Sequence, residues 1–144
     1  MRIMAIDYGD AHTGIAISDP TGLLAGFTTV INSRRQEVVV EQVTLLAKEH
    51  GAEELVLGHP VNMDGTLGPR SEKAKAMKAL LEEATALPVV LWDERRTTID
   101  AHNILFNSGK NAKQRKKVVD AVAASLILEG YLTFKTVSYT HLRA

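Results

Sequence analysis

Ile3 to Ile6 form a short apolar run that stops at an acid, Asp7, and a polar turn, Tyr8-Gly9-Asp10. A run of that length closed by turn residues predicts a buried strand. Gly14 to Ser18 predicts a second strand, and Asp19-Pro20-Thr21-Gly22 has the turn chemistry to close a hairpin. Leu23 to Ile31, rich in Thr and β-branched residues, predicts a third strand. Three consecutive strands with short connections predict an antiparallel meander.

The spacing of apolar residues then changes from two to about 3.6. From Ser33, a candidate N-cap, to His50, residues Val39, Val43 and Leu46 recur at helical spacing with Val40 and Ala47 beside them, and Gly51 is a suitable stop. Glu54 to Gly58, built on Leu-Val-Leu, predicts a short buried strand. The loop His59 to Thr66 leads to a second helix over Ser71 to Ala86, with Ala74, Met77, Leu80, Leu81 and Ala84 on one stripe. Pro88 to Trp92 predicts a fifth strand, ending at Asp93-Glu94-Arg95. Thr97 or Thr98 can cap a helix reaching about Asn107, which Ser108-Gly109 breaks, and a last helix is expected over Val118 to Leu132. Strands alternating with helices imply parallel pairing through crossovers. The order predicts an α/β fold with a five-stranded mixed sheet, a three-strand antiparallel meander plus parallel strands, flanked by helices. No repeat or linker divides the chain, so residues 1–135 are expected to form one domain. Residues 136–144 do not continue the last helix. They resemble translated adapter sequence and are expected to form a non-conforming tail without a functional role.

Composition changes this picture in two respects. Lys plus Arg and Asp plus Glu each total 17, so any nucleic-acid affinity must come from the distribution of charge and not from a basic surplus. The chain has no cysteine, which excludes disulfides and thiolate metal sites and is compatible with a reducing cytoplasm. No segment reads as a signal peptide or reaches the roughly 20 apolar residues of a membrane span, so a cytoplasmic, membrane-free protein is expected.

Three acids stand where packing alone would not put them. Asp7 ends the first strand, Glu94 ends the fifth, and Asp120 lies on an otherwise apolar helix, sharing a face with Ala123, Ala124 and Ile127. In open α/β sheets, ligands bind beyond the carboxyl ends of strands. Each acid alone is better read as a cap or an ion-pair partner, because burying an unpaired charge is expensive. Taken together, they predict a cation site. Hard oxygen donors without a His or Cys cluster favour Mg²⁺ or Mn²⁺ over zinc. A pair of such ions suits phosphodiester cleavage.

Lys110, Lys113, Arg115, Lys116 and Lys117 place five cations in eight residues directly before Asp120. Cations at a helix start oppose its macrodipole, so they are expected to hold a phosphate backbone. Asn62, in the loop after the fourth strand, and Arg95, beside Glu94, are further candidate nucleic-acid contacts. His59, before Pro60, is expected to be a surface histidine. Aromatic residues are scarce, which points to a structured nucleic acid more than to stacking on a single strand.

Four segments in order carry a resemblance: Asp7-Tyr8-Gly9 with Gly14 to Asp19, Gly58 to Thr66, Asp93-Glu94-Arg95 with Thr97-Thr98, and Lys116 to Ala124. Over about residues 1–132 the chain resembles the YqgF family, bacterial proteins assigned to pre-16S ribosomal RNA processing and also described as Holliday-junction-resolvase-like. The resemblance implies an RNase H-like fold, catalytic and metal-binding acids at Asp7, Glu94 and Asp120, a divalent metal, and 5′-end processing of the 16S ribosomal RNA precursor. The chain departs from the family where Asp10-Ala11-His12-Thr13 stands between the first two glycines, a stretch usually basic, and where Arg96 replaces a common apolar residue. The leading expectation is therefore a metal-dependent hydrolase, an endonuclease on structured RNA, as a monomer or homodimer. Alternatives are a Holliday-junction DNA resolvase, which would need a symmetric dimer, and a non-catalytic nucleic-acid-binding assembly factor. A nucleotide-binding relative of sugar kinases ranks last, the chain being short for two lobes.

Overall fold

The computed structural model describes residues 2–21, 25–60, 64–93 and 121–135. In chain order they form β1 (Arg2–Asp7), β2 (His12–Ser18), β3 (Ala25–Asn32), α1 (Gln36–His50), β4 (Ala52–His59), α2 (Pro69–Thr85) and β5 (Val89–Asp93). A helix over residues 121–135, called α3, follows. The strands make one sheet in the order β3-β2-β1-β4-β5. β2 pairs antiparallel with both β1 and β3, and β4 pairs parallel with both β1 and β5. The expected meander and parallel half are both present.

The sheet is buried on both faces, which explains why β1, β2 and β4 read as nearly continuous apolar runs. On one face Met4, Ile6, Ile15, Ile17, Leu55 and Leu57 pack under Val39 and Val43 of α1 and Ala74, Met77 and Leu81 of α2. On the other, Ile3, Ala5, Ala16, Val56 and Trp92 pack under Ala124, Ile127, Leu128, Tyr131 and Leu132 of α3. Alternation along each strand sends successive side chains to these two cores.

The helix boundaries differ from the sequence expectation in instructive ways. α1 starts after Arg35, whose side chain makes no cap hydrogen bond. Ser33 is not its cap: its Oγ accepts the backbone N–H of Arg35 at 3.1 Å, closing a turn before the helix. Gly51 ends α1 as expected, at φ 67°, the left-handed conformation glycine adopts freely. α2 begins at Pro69, two residues early, because proline's missing N–H costs nothing in a first turn. Its buried stripe is Ser71, Ala74, Met77 and Leu81, while Leu80 and Ala84 are exposed. The helix lies on the sheet through a narrow seam, so positions at the margin of the apolar arc face solvent. β3 is described from Ala25, not Leu23, and α3 runs past Leu132 to residue 135. The expected helix from Thr97 to Asn107 and the tail 136–144 lie outside the described residues.

Candidate active site

β1, β4 and β5 run in the same direction, so Asp7, His59 and Asp93 finish together at one edge of the sheet. This is the carboxyl edge where α/β proteins bind ligands. Ile3 and Ala5 face α3, so alternation puts Asp7 on the α3 side of the sheet. Its neighbours in the row leave it open. Gly14 stands directly opposite on β2. On β4 the register Ile6↔Leu57 carries Asp7 to the level of Gly58, which in turn pairs with Trp92 of β5. The half-buried Asp7 carboxyl is thus flanked by two residues without side chains, with Trp92 closing the row. Lateral space beside a half-buried acid is what a bound cation and a substrate phosphate require. The turn that follows is equally specific, since a Cβ on Gly9 would lie 2.4 Å from the His12 carbonyl oxygen.

α3 covers this face and is anchored far from Asp7. Glu54, buried near the start of β4, accepts hydrogen bonds from the Tyr131 hydroxyl and, at 2.9 Å, from Lys135 Nζ. Glu54 lies two residues before Val56, so alternation puts it on the same α3 face, opposite Ile3 and just past a register shift between Arg2↔Ala52 and Ile3↔Glu54. Burial, followed by the hydrogen bond to Glu54, pushes the Tyr131 phenol above its ordinary range. Trp92 meets the same helix, edge-on to Tyr131 at 5.8 Å and tilted against Phe134 at 5.7 Å.

Of the residues expected at the site, Asp7 alone is described, and it lies where the sequence put it. Glu94, Asp120, Asn62, Arg95, Lys110, Lys113, Arg115, Lys116 and Lys117 lie outside the described residues. Among the described residues no three His, Asp or Glu side chains converge as a metal cage. Asp7 itself suits a hard cation: it is an oxygen donor, half-buried, with glycine beside it on both neighbouring strands.

Sequence reasoning passed over the opposite side of the same edge. Tyr8 packs toward α1 and α2, one residue after Asp7 but on the other face. A pocket there is lined by Tyr8, Asp10, Gly58, Pro60, Arg70, Lys73 and Ala74. His59 is not simply a surface histidine. It is half-buried, and its Nε2 lies 2.6 Å from the Oγ of Ser71, which is fully buried in the first turn of α2. The signal was available: Arg70 and Lys73 are i,i+3 neighbours flanking the buried stripe.

Residues 1–134 match the family described as RuvX: Holliday junction resolvase. The chain belongs to this family. Relatives cover nearly the whole of it. A protein of Halothermothrix orenii named "Putative pre-16S rRNA nuclease" is 43% identical over 135 residues, 94% of this chain and 96% of its own length. A Listeria monocytogenes protein of the same name is 44% identical over 134 residues, 92% of this chain and 97% of its own. The RuvX-family fold is also that of Thermus thermophilus RuvC solved with a Holliday junction substrate. That structure matches with a TM-score of 0.62 at 16% identity, over 94% of this chain and 97% of that one. The RNase H-like expectation therefore holds, and the chain is a member of a nuclease family. No helix among the described residues is long and apolar enough to cross a membrane.

Proposed function

We propose that this RuvX-family chain is a divalent-metal-dependent endonuclease that cuts phosphodiester bonds in structured RNA, at the 5′ end of the 16S ribosomal RNA precursor during ribosome biogenesis. The observation that carries the reading is Asp7, half-buried at the carboxyl end of β1, between Gly14 and Gly58 and on the face that α3 covers. Glu94 is the next residue after β5, which ends at that same edge. Asp120 directly precedes the helical run 121–135, whose other end is anchored at the opposite edge by Glu54. These placements support Asp7, Glu94 and Asp120 as the ligands of one or two Mg²⁺ or Mn²⁺ ions. Bound there, the cations would neutralise the carboxylates and polarise the scissile phosphate. Lys110, Lys113, Arg115, Lys116, Lys117, Arg95 and Asn62 would hold flanking nucleic acid.

RNA is preferred to junction DNA because the relatives named for the ribosomal precursor match at more than 40% identity over nearly their whole length. The likeness to RuvC, at 16% identity, establishes the fold alone. Purified protein with Mn²⁺ or Mg²⁺ is expected to cut a precursor RNA and to leave a four-way DNA junction intact in the same assay. Asp7→Asn should lower kcat at least a thousandfold, on the order of the several kcal/mol a metal site contributes, with the fold retained. A mutant as active as the wild type would sink the assignment.

A further inference from the structure

The carboxyl edge of the sheet has two sides, and the proposed chemistry uses only the one that Asp7 faces. On the other side, Arg70 and Lys73 project from the first turns of α2 beside the pocket that Tyr8, Gly58, Pro60 and Ala74 complete. We propose that Arg70, Lys73 and Tyr8 form a phosphate-holding subsite, which takes a backbone phosphate next to the scissile one along the same nucleic-acid strand. The proposal rests on the nuclease reading above and adds a second anchoring point to it.

Four features support it. The subsite is one residue from Asp7: the chain leaves β1 with Asp7 on one face and Tyr8 on the other, and adjacent Cα atoms lie about 3.8 Å apart. A strand crossing the edge would meet both. The floor is small or rigid, with Gly58 and Ala74 leaving room and Pro60 fixing the backbone. The two cations are held by a fixed element, because the His59–Ser71 hydrogen bond at 2.6 Å pins the first turn of α2 to the end of β4. Finally, Lys73 is held over the site by a partner that a phosphate can displace. Its Nζ lies 3.3 Å from Asp10 Oδ1, with the two side chains 61% and 73% exposed. An ion pair that exposed is worth at most about 1 kcal/mol, less than a charge-assisted bond to a phosphodiester held beside it. Asp10 then acts as a placeholder that positions Lys73 and competes with substrate.

The placeholder role predicts opposite signs for the two partners. Fluorescence anisotropy of the full chain with a labelled RNA hairpin from the precursor 5′ end, titrated with KCl, reads both. Arg70→Ala with Lys73→Ala should weaken binding about tenfold and reduce the salt slope by roughly one to two. It should raise KM while leaving kcat nearly unchanged. Asp10→Asn should tighten binding, because Lys73 is released to the phosphate. Arg70→Gln with Lys73→Gln should repeat the loss, and circular dichroism should show all variants folded, since these side chains are exposed. Unchanged affinity and slope in the double variants would overturn the subsite while leaving the nuclease reading intact. Asp10→Asn weakening binding as the double variants do would overturn it too, because the pair would then be structural. A wild type that neither binds nor cuts RNA or junction DNA would overturn both readings together.

Discussion

Asp7 shows how much one residue's surroundings decide. An acid after a strand is usually a cap or turn residue, and its place after an apolar run does not by itself separate a ligand from a cap. The row Gly14–Asp7–Gly58–Trp92 does, because it removes side chains from both flanks of the carboxyl. Two consequences can be measured. If Asp7, Glu94 and Asp120 converge, their mutual repulsion destabilises the metal-free protein, so Asp7→Asn should raise the apo melting temperature while abolishing cleavage. Mn²⁺ at a hundred times its dissociation constant should stabilise the wild type by about 2.7 kcal/mol and the mutant by far less. Scanning calorimetry with and without Mn²⁺ tests both; equal stabilisation of the two proteins would show that Asp7 is not a ligand. Gly9 is tested separately. A methyl group 2.4 Å from the His12 carbonyl oxygen forces the turn to move, so Gly9→Ala should cost about 1–3 kcal/mol and displace the Asp7 carboxyl. Urea unfolding gives the first effect and weakened Mn²⁺ binding the second.

At the scale of elements, α3 depends on a latch that periodicity could not show. Glu54 precedes Leu-Val-Leu and looks like the polar start of a strand, but it shares the face of Val56 and α3 closes over it. Glu54→Ala leaves the Tyr131 hydroxyl and Lys135 without their acceptor and should cost about 1–3 kcal/mol in urea unfolding, with Glu54→Gln losing less because it keeps an acceptor. The Tyr131 phenol adds a pH dependence whose sign follows from its raised pKa. The unfolded chain releases this proton near pH 10 while the folded one still holds it. The stability it contributes is therefore complete below pH 10 and is lost as pH rises beyond. Tyr131→Phe should make the alkaline fall in the urea midpoint shallower. The succession of strands and helices along the chain, α1 and its Gly51 stop were legible, because apolar period and turn chemistry are local properties, and parallel pairing followed from the alternation of strands with helices. Ser33, Leu80, Ala84 and Glu54 were not, because a cap, a seam width and the partners of a buried acid are set by the packing of other segments. Likewise Asp7 was legible as an acid out of place, whereas Arg70, Lys73 and the His59–Ser71 bond matter only once β4 brings α2 to the same edge.

The molecule as a whole is electrically neutral, with 17 basic and 17 acidic side chains, yet its charge is segregated. Residues 94–120 hold seven Lys and Arg against three acids, so the rest of the chain is net acidic. Such a protein gains little from long-range steering, since exposed charges are screened beyond about 8 Å at physiological salt. Its affinity for nucleic acid must instead come from direct phosphate contacts, each contributing about 0.9 to the slope of log affinity against log salt. Replacing Lys116 or Lys117 singly with Ala should lower that slope by up to about one each and weaken binding of structured RNA at low salt, without removing Mn²⁺ binding. Lys48 supplies the control. It lies in the last turn of α1, which Gly51 joins to the start of β4, at the edge of the sheet opposite Asp7. Lys48→Ala removes the same single charge from the total, so it would act like either of the others if only the net charge mattered. If local phosphate contacts decide, the slope stays unchanged, because no phosphate bound across the carboxyl edge reaches Lys48. Anisotropy titrations of the three proteins against KCl decide between these, and a Lys48 effect as large as that of Lys116 would mean that the substrate wraps the whole molecule rather than one edge.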